Sequence, residues 1–315
     1  MARKEIFVDK TKNGKVRPWK ENKLDNLTYA EYLAVLRFKK ASKVKECGQV
    51  LRFKKTVEGH LKLFQTWFCK SRLCPLCAWR RSMKNSNQLV RILQSSLEQY
   101  PKGRFLFLTL STENTRGSDE LKHELKNYGI AFNRLVKYKK IDKNLLGYVR
   151  TTEITVNKDD GSYNQHMHVL IFVRSSYFKN GDNYISQEEW RAYWKKAMKL
   201  DYSPVVNVKS VHAKKGKGDL LSGAQETAKY QVKSADYISD DAERDLRIVE
   251  DLEQALSHTR AISYGGIFKN IRKELQLEDE NNLIDTDDSN ENDELTTSEI
   301  VVAKWNYEQQ NYFIE

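Results

Sequence analysis

Apolar and polar residues in the middle of the chain follow two periods, one typical of buried strands and one typical of amphipathic helices. Residues 105–111, Phe-Leu-Phe-Leu-Thr-Leu-Ser, form a nearly continuous apolar run, which predicts a strand inside a sheet. From Leu121 to Val136 apolar residues recur every three or four positions, which predicts a helix with one buried face. The same criteria predict further helices at 83–100, 187–200, 219–238 and 242–256, and further strands at 147–156, 166–173 and 205–211.

The order of these elements predicts the fold class. The short turn at 157–161, Asn-Lys-Asp-Asp-Gly, joins two predicted strands into an antiparallel hairpin in the middle of a sheet. The succession of strand, helix, hairpin, helix, strand and helix predicts an α+β fold, in which helices flank a central antiparallel β-sheet. Pro101 and Gly103 mark a boundary ahead of the first strand. We predict four parts: a basic N-terminal region with a cysteine-rich module and a helix (1–100), a domain that carries the chemistry (101–277), an acidic linker (278–299) and a C-terminal segment (300–315).

The charge of the chain is unevenly distributed. The net charge is +11, but residues 278–299 contain acidic residues and no Lys or Arg, so the chain before them is more basic than the whole. A body this basic is typical of a protein that binds a polyanion such as nucleic acid, although a basic surface that only maintains solubility has the same composition. The acidic tract has too little apolar content to fold, which predicts a flexible linker, whereas residues 301–315 are apolar enough to dock as a strand.

Composition and hydropathy exclude several classes of protein. Hydrophobic residues make up 39% of the chain and charged residues 31%, as in globular rather than disordered proteins. No stretch approaches the roughly 18 consecutive apolar residues of a membrane span, and the charged N-terminus lacks the apolar segment of a secretory signal. The sequence therefore predicts a soluble cytoplasmic protein with no membrane partner.

All four cysteines of the chain lie in one region, in the pattern Cys47-x21-Cys69-x4-Cys74-x2-Cys77. Four thiolates suffice for a closed tetrahedral zinc site, and a Cys-x2-Cys turn is a common way to present two of them. Disulfides are disfavoured in a reducing cytoplasm. We therefore predict a structural Zn²⁺ site formed by the four cysteines, with His60 as an alternative ligand to the remote Cys47. Four unrelated buried cysteines are the competing interpretation.

Two histidines and a glutamate form the second candidate metal site. His166 and His168 lie two residues apart on a predicted strand, so both imidazoles face the same side. Glu153 is the only carboxylate in the preceding strand of the hairpin, and a buried carboxylate needs a partner. We call these three residues the metal triad. Three protein ligands leave coordination positions of a metal open, which suits Mg²⁺ or Mn²⁺ with phosphate and water as further ligands. Two ordinary surface histidines are the alternative.

A tyrosine on a predicted helix is the candidate nucleophile. Glu226 and Tyr230 are four residues apart and Tyr230 and Lys233 three apart, which places all three on one contiguous helix face. A phenol is a poor nucleophile unless a cation or a base assists it, and Lys233 or the metal could supply that assistance. The alternative is a tyrosine that packs into the core beside a solvated Glu-Lys pair.

Taken together, these residues resemble the three motifs of the rolling-circle replication initiators of Gram-positive plasmids, which are HUH endonucleases (His, bulky hydrophobic, His). The matching segments are Phe107–Ser111, His166–His168 and Glu226–Lys233, and Cys69–Cys77 and Ile262–Gly266 are also similar to this subgroup. The resemblance covers about residues 44–275. Many members have His-Pro next to the histidine motif, where this chain has Asn164-Gln165.

The resemblance implies a metal-dependent, strand-specific and site-specific DNA nickase whose core is ferredoxin-like or RRM-like. The metal triad would hold a cation on the scissile phosphate, and Tyr230 would attack to give a 5′-phosphotyrosine and a free 3′-OH that primes synthesis. Glu226 would activate the water that ends a round by hydrolysis. Tyr237 is a candidate second tyrosine, but its spacing of seven residues from Tyr230 favours core packing.

The expected partner is double-stranded plasmid origin DNA whose nick site is exposed as a single strand or hairpin. A host helicase and other replication proteins are further expected partners. The sequence also leaves open whether the protein forms a homodimer. Basic residues beside Trp79 and in a glycine-containing loop are suited to phosphate contacts. The predicted DNA-binding residues are Arg80, Arg81, Lys84, Lys214, Lys215 and Lys229.

Two other classes of protein fit part of the pattern. An HUH transposase or relaxase would share the histidine and tyrosine motifs, but Glu226 favours replication with hydrolytic termination. A non-catalytic, zinc-containing DNA-binding protein would keep the cysteines, and its histidines and Tyr230 would then be structural.

Overall fold

The structure is a computed structural model that describes residues 5–179, 181–211, 224, 227, 231–257, 259–277, 282–284, 286 and 295–315. Its described helices and strands follow in chain order, with α for helices and β for strands. They are α1 (Trp19–Val35), α2 (Ala41–Lys45), β1 (Val50–Thr56), β2 (Leu61–Gln65), α3 (Pro75–Gln99), β3 (Arg104–Ser111), α4 (Gly117–Leu135), α5 (Lys139–Asp142), β4 (Leu145–Val156), β5 (Tyr163–Val173), α6 (Gln187–Met198), β6 (Val206–Val211), α7 (Ala242–Ala255), β7 (Ile262–Gly266), α8 (Ile267–Glu274), β8 (Leu295–Asn306) and β9 (Asn311–Ile314).

The chain divides into two compact units. Unit 1 consists of Met1–Lys84, Ile238–Val249 and Glu280–Glu315, and unit 2 consists of Asn85–Tyr237 and Glu250–Asp279. Unit 1 therefore combines the two ends of the chain, and unit 2 contains most of the strands and helices that the sequence predicts.

The five-stranded sheet of unit 2 has the order β6-β3-β5-β4-β7, and every neighbouring pair is antiparallel. Alternation along β3 builds a core on each face. Leu106, Leu108 and Leu110 join the aromatic side chains of α4 and α6 on one face, whereas Phe105 joins the apolar residues of α3 and α8 on the other. These antiparallel sheets with flanking helices confirm the predicted α+β fold.

Unit 1 contains a second antiparallel sheet, of order β2-β1-β8-β9. The C-terminal residues do dock on the rest of the chain, as predicted, but as two strands rather than one. β8 begins at Leu295 and so takes in the last residues of the predicted acidic linker. Within that linker Leu283 and Thr286 are also buried, so these two residues pack against the folded protein.

Two predicted helices have different bounds in the structure. α3 begins at Pro75 rather than at 83, directly after Cys74. The helix predicted at 219–238 falls largely outside the described residues, but its predicted end is wrong. Lys233 has an extended backbone (φ −83°, ψ 148°), and Ser234–Asp236 form a short 3₁₀ turn. Ala224 and Thr227 are helical, so the helix stops before Gln231.

Candidate active site

The hairpin of β4 and β5 brings the metal triad together. Glu153 is paired directly with His166 in the ladder, and its neighbour two residues earlier, Thr151, is paired with His168. Nε2 of His168 lies 2.9 Å from Oε2 of Glu153, and Nε2 of His166 lies 3.4 Å from the same oxygen. The ligand atoms of all three residues lie within 4.8 Å of one another.

The electrostatics of this cluster favour an ionised carboxylate. Glu153 is only 5% exposed. Burial by itself raises the pKa of the Glu153 carboxyl, but hydrogen bonds and charge from His166 and His168 outweigh burial and hold that pKa well below its usual range. The other carboxylate oxygen, Oε1, faces Nζ of Lys233 at 3.3 Å. An ionised carboxylate beside two imidazoles is a donor set that fits a divalent cation.

β3 orients the second histidine of the triad. Thr109 is paired with His168 in the ladder, and its Oγ1 lies 3.4 Å from Nδ1 of that ring. The Phe107 ring stacks on the His168 ring, with centroids 5.4 Å apart and planes 24° apart. A histidine that ligates a metal through one nitrogen commonly engages a polar group through the other. The predicted Leu-Thr-Leu-Ser strand therefore contributes contacts that hold this imidazole in place.

The predicted nucleophile Tyr230, together with Glu226 and Lys229, lies outside the described residues. Residues near it in sequence are described, and they are bonded to β4. The hydroxyl of Thr151 donates to the carbonyl of Thr227 at 2.8 Å, and the backbone N–H of Ile154 donates to the carbonyl of Gln231 at 2.8 Å. The residues three before and one after Tyr230 are therefore attached to β4 on either side of Glu153.

Lys233 reaches the site in a different way from the one predicted. The sequence placed it on the same helix face as Tyr230, but the helix has ended and its backbone is extended. Its side chain instead approaches Glu153, with half of its surface exposed. Tyr237 is only 1% exposed, which agrees with its interpretation as a core residue.

The structure corrects the predicted role of two basic residues. Arg80 is 2% exposed, and its guanidinium donates to the carbonyls of Leu283 and Ile284 and lies over the Trp19 ring. Lys84 is 7% exposed and donates to the carbonyl of Asn282. Because both cations are buried and bonded within unit 1, neither is a surface contact for DNA.

The other predicted DNA contacts are less buried or not described. Arg81 is half-buried and donates to the carbonyl of Lys70. Lys214 and Lys215 lie outside the described residues, as does Lys229.

The four cysteines form a second cluster, in unit 1. Their Sγ atoms lie within 4.8 Å of one another and form no disulfide. Three of the separations are 3.5 Å (Cys47–Cys77), 3.6 Å (Cys47–Cys74) and 3.6 Å (Cys69–Cys77). Tetrahedral bonds of about 2.3 Å to zinc place sulfurs about 3.8 Å apart, close to these values. Burial raises the pKa of the Cys77 thiol, whereas hydrogen bonds from the other cysteines outweigh burial at Cys74 and hold its pKa below the usual range. Zinc binds cysteines as thiolates, so one member of the cluster is already biased toward the form that a metal requires.

His60 does not join the cysteine cluster. It follows the turn between β1 and β2, where its Nε2 lies 3.8 Å from a carboxylate oxygen of Glu58. The donor set in this region therefore consists of the four cysteines. Cys47, and not His60, is the fourth member of the cluster.

Two buried polar residues of α1 support the cysteine cluster and were missed in the sequence. Lys23 donates to the carbonyls of Lys45 and Cys47, at 2.7 Å each. Asn26 donates to the carbonyl of Val44 at 2.8 Å and lies 3.4 Å from Sγ of Cys74. Burial lowers the pKa of Lys23 to about 8, although the nearby cysteines act in the opposite direction. The sequence did contain one signal for them: Trp19, Lys23 and Asn26 are spaced four and three residues apart, as on one face of a helix.

The fold and the two clusters together define an α+β protein with two candidate metal sites. The family model Rep_1, described as replication protein, matches residues 60–313, and the chain therefore belongs to this family of replication proteins. A protein named Protein rep from Lactiplantibacillus plantarum is 58% identical over 98% of this chain and 99% of its own length. Proteins of the same name from Lentilactobacillus hilgardii and Streptococcus pneumoniae serotype 2 are 59% and 43% identical, over 99% and 98% of this chain and 99% and 96% of their own lengths. No solved structure matches the chain.

Among the described residues, no helix is both long enough and apolar enough to cross a bilayer.

Proposed function

We propose that this protein initiates rolling-circle replication of a plasmid by nicking one strand of the origin. The observation that carries the proposal is the metal triad on the β4–β5 pair, with β4 attached on either side of Glu153 to residues that flank Tyr230 in the sequence. Membership of a replication-protein family supports this reaction over strand transfer by a transposase or relaxase. A non-catalytic DNA-binding protein has no need for an ionised carboxylate buried between two imidazoles.

His166, His168 and Glu153 are the residues that would hold Mg²⁺ or Mn²⁺. When bound, the cation supplies positive charge to a non-bridging oxygen of the scissile phosphate. Glu153 keeps its negative charge because the two imidazoles and Lys233 surround it. The triad can therefore bind a cation without first losing a proton from the carboxyl group.

Tyr230 is the proposed nucleophile. Its phenol oxygen forms a bond to phosphorus while the bond from phosphorus to the 3′ oxygen breaks, which leaves a 5′-phosphotyrosine and a 3′-OH primer. A phenol has a pKa near ~10 in water, so the attack needs a nearby positive charge. Lys233, three residues further on, is half-exposed beside Glu153 and offers such a charge.

Glu226 is proposed to act at the end of a round. Hydrolysis that releases the protein requires a base to take a proton from water, and a carboxylate four residues before the nucleophile is suited to that role. Replacing Glu226 with Ala is expected to leave initial nicking within about twofold of wild type and to accumulate the covalent complex. Denaturing gel electrophoresis with labelled origin DNA measures both quantities. Normal release by the variant would remove the proposed role of Glu226.

The metal triad is tested by removing one imidazole. Replacing His168 with Ala is expected to lower Mn²⁺-dependent nicking of a supercoiled origin plasmid by about 100-fold or more, because the scissile phosphate loses its positive counter-charge. EDTA should abolish nicking by the wild type, while binding to origin DNA persists. Asn164, exposed and two residues before His166 on the same strand, gives the matched control. Asn164→Ala should nick normally, and equal losses in the two variants would contradict the assignment.

The cysteine cluster is proposed to hold a structural Zn²⁺ that stabilises unit 1. The proposed macromolecular partner is double-stranded plasmid origin DNA with a single-stranded or hairpin nick site, in the cytoplasm where host helicase and replication proteins act. The net charge of +11 supports binding to a polyanion.

A further inference from the structure

The sheet of unit 1 presents three cations on one face. Leu51 and Phe53 of β1 point to the buried side, where Phe53 stacks on Phe7 with ring centroids 5.0 Å apart. Because side chains alternate along a strand, Arg52 and Lys54 point to the opposite side. Lys62 of β2 is paired directly with Lys54 and shares that side. We call Arg52, Lys54 and Lys62 the cationic sheet face.

Among the residues that the structure describes, these cations have no acidic partners. In the described part of the chain none of the three forms an ion pair, whereas other lysines of the same sheet do. Lys55 pairs with Glu299 at 3.1 Å, and Lys304 pairs with Glu315 at 3.3 Å. Like charges placed directly opposite each other destabilise a strand pair. The Lys54–Lys62 pair therefore has an unfavourable repulsion that a bound anion would relieve.

The aromatic ring of Phe64 on β2 is already engaged by one of these cations. Nζ of Lys54 lies 5.2 Å from the centroid of the Phe64 ring. Proteins that bind single strands stack successive bases on several aromatic side chains, and this face offers one half-buried ring under an ammonium group. Duplex DNA carries one phosphate charge per about 1.7 Å of its axis and is bound chiefly through Lys and Arg. The chemistry of the face matches duplex DNA better than single-stranded DNA.

We propose that the cationic sheet face of unit 1 binds the phosphate backbone of duplex DNA at the origin. The inference rests on the proposed function only in taking DNA as the partner. It assigns duplex binding to residues distinct from the metal triad and from the basic residues that the sequence had suggested.

The test compares two double variants that remove equal charge from the same sheet. Lys54→Gln with Lys62→Gln removes two unpaired cations, and Lys55→Gln with Lys304→Gln removes two ion-paired ones. Affinity for duplex origin DNA is measured as a function of salt concentration. Each phosphate contact contributes about 0.9 to the slope of log K against log salt. We expect the first variant to lower the slope by about 2, and the second to leave it as in the wild type.

Further measurements separate this proposal from the proposed nicking reaction and from misfolding. Both variants should nick a single-stranded oligonucleotide with Mn²⁺ at the wild-type rate. The thermal midpoint of the first variant should equal or exceed that of the wild type, because the repulsive pair is gone. An unchanged slope in the first variant, an equal fall in the second, or an equal loss of single-strand affinity would overturn the proposal. Failure of the wild type to nick would instead overturn the proposed function and leave the salt measurement valid.

Discussion

Replacement of Tyr230 by Phe is expected to abolish nicking of a supercoiled origin plasmid and formation of the covalent protein–DNA complex. The substitution removes a single oxygen, the atom proposed to attack phosphorus, and leaves the ring in place. When the groups of an active site act together, removing the nucleophile lowers the rate of the reaction by about 10⁴-fold or more. The assay is conversion of supercoiled plasmid to a nicked circle with Mn²⁺, followed by protease treatment to reveal the adduct. Origin binding should persist.

The control for this prediction is Tyr237→Phe. Tyr237 is the next tyrosine in the chain and is almost fully buried, so its hydroxyl has no access to DNA. That variant should nick like the wild type, with a small loss of thermal stability. If Tyr230→Phe still nicks while Tyr237→Phe does not, the assignment of the nucleophile is wrong.

The largest expected effect on stability concerns the cysteine cluster. Cys74→Ser should eliminate bound zinc and unfold unit 1 at room temperature. Structural zinc contributes about 10–16 kcal/mol in zinc-finger peptides, as much as the whole stability of about 5–15 kcal/mol of an ordinary domain. Zinc content by atomic absorption should fall from one ion per chain to none, and the near-ultraviolet circular dichroism of the buried tryptophans Trp19 and Trp79 should disappear.

Ser71 offers a matched control between the cysteines. Its hydroxyl lies 3.1 Å from the Tyr29 hydroxyl and 3.2 Å from Nζ of Lys40, and it is not a member of the cluster. Ser71→Ala should retain the metal and lose about 1 kcal/mol of stability. Wild-type protein that is fully folded after exhaustive chelation would show that the cluster needs no metal.

The metal triad was predictable because it depends on short-range rules. Side chains two apart on a strand share a face, and a five-residue turn fixes which strand lies alongside. Those two rules place Glu153 on the strand beside the two histidines, and in the ladder it is paired directly with His166. The contact of Thr109 with His168 was not predictable from such rules, because β3 is more than fifty residues away in sequence.

Unit 1 shows where sequence patterns fail. The segments Leu36–Lys40 and Leu51–Lys55 have the same five residues, Leu-Arg-Phe-Lys-Lys, but the first follows the end of α1 and the second lies in β1. α1 itself was missed because its buried face includes Lys23 and Asn26, which hydropathy treats as exposed. Their burial is explained only by carbonyls and a cysteine from elsewhere in the chain.

The end of the helix predicted at 219–238 was mispredicted for a related reason. Residues from Ala228 to Val232 favour helix locally, yet the carbonyl of Gln231 accepts a hydrogen bond from β4. A tertiary bond of this kind replaces the helical one and turns the chain, which brings Lys233 to Glu153. The sequence grouped Lys233 with Tyr230, but it predicted neither the contact of Lys233 with Glu153 nor the backbone path that makes it.

The placement of β1 between β2 and β8 has a consequence for synthesis of the protein. β2 follows β1 within ten residues, but β8 leaves the ribosome only after more than two hundred further residues have been made. Throughout that time the other edge of β1 has no strand to pair with, and such an edge promotes aggregation. Messages truncated shortly before β8 should therefore yield insoluble chains, whereas full-length translation closes the sheet in its final seconds.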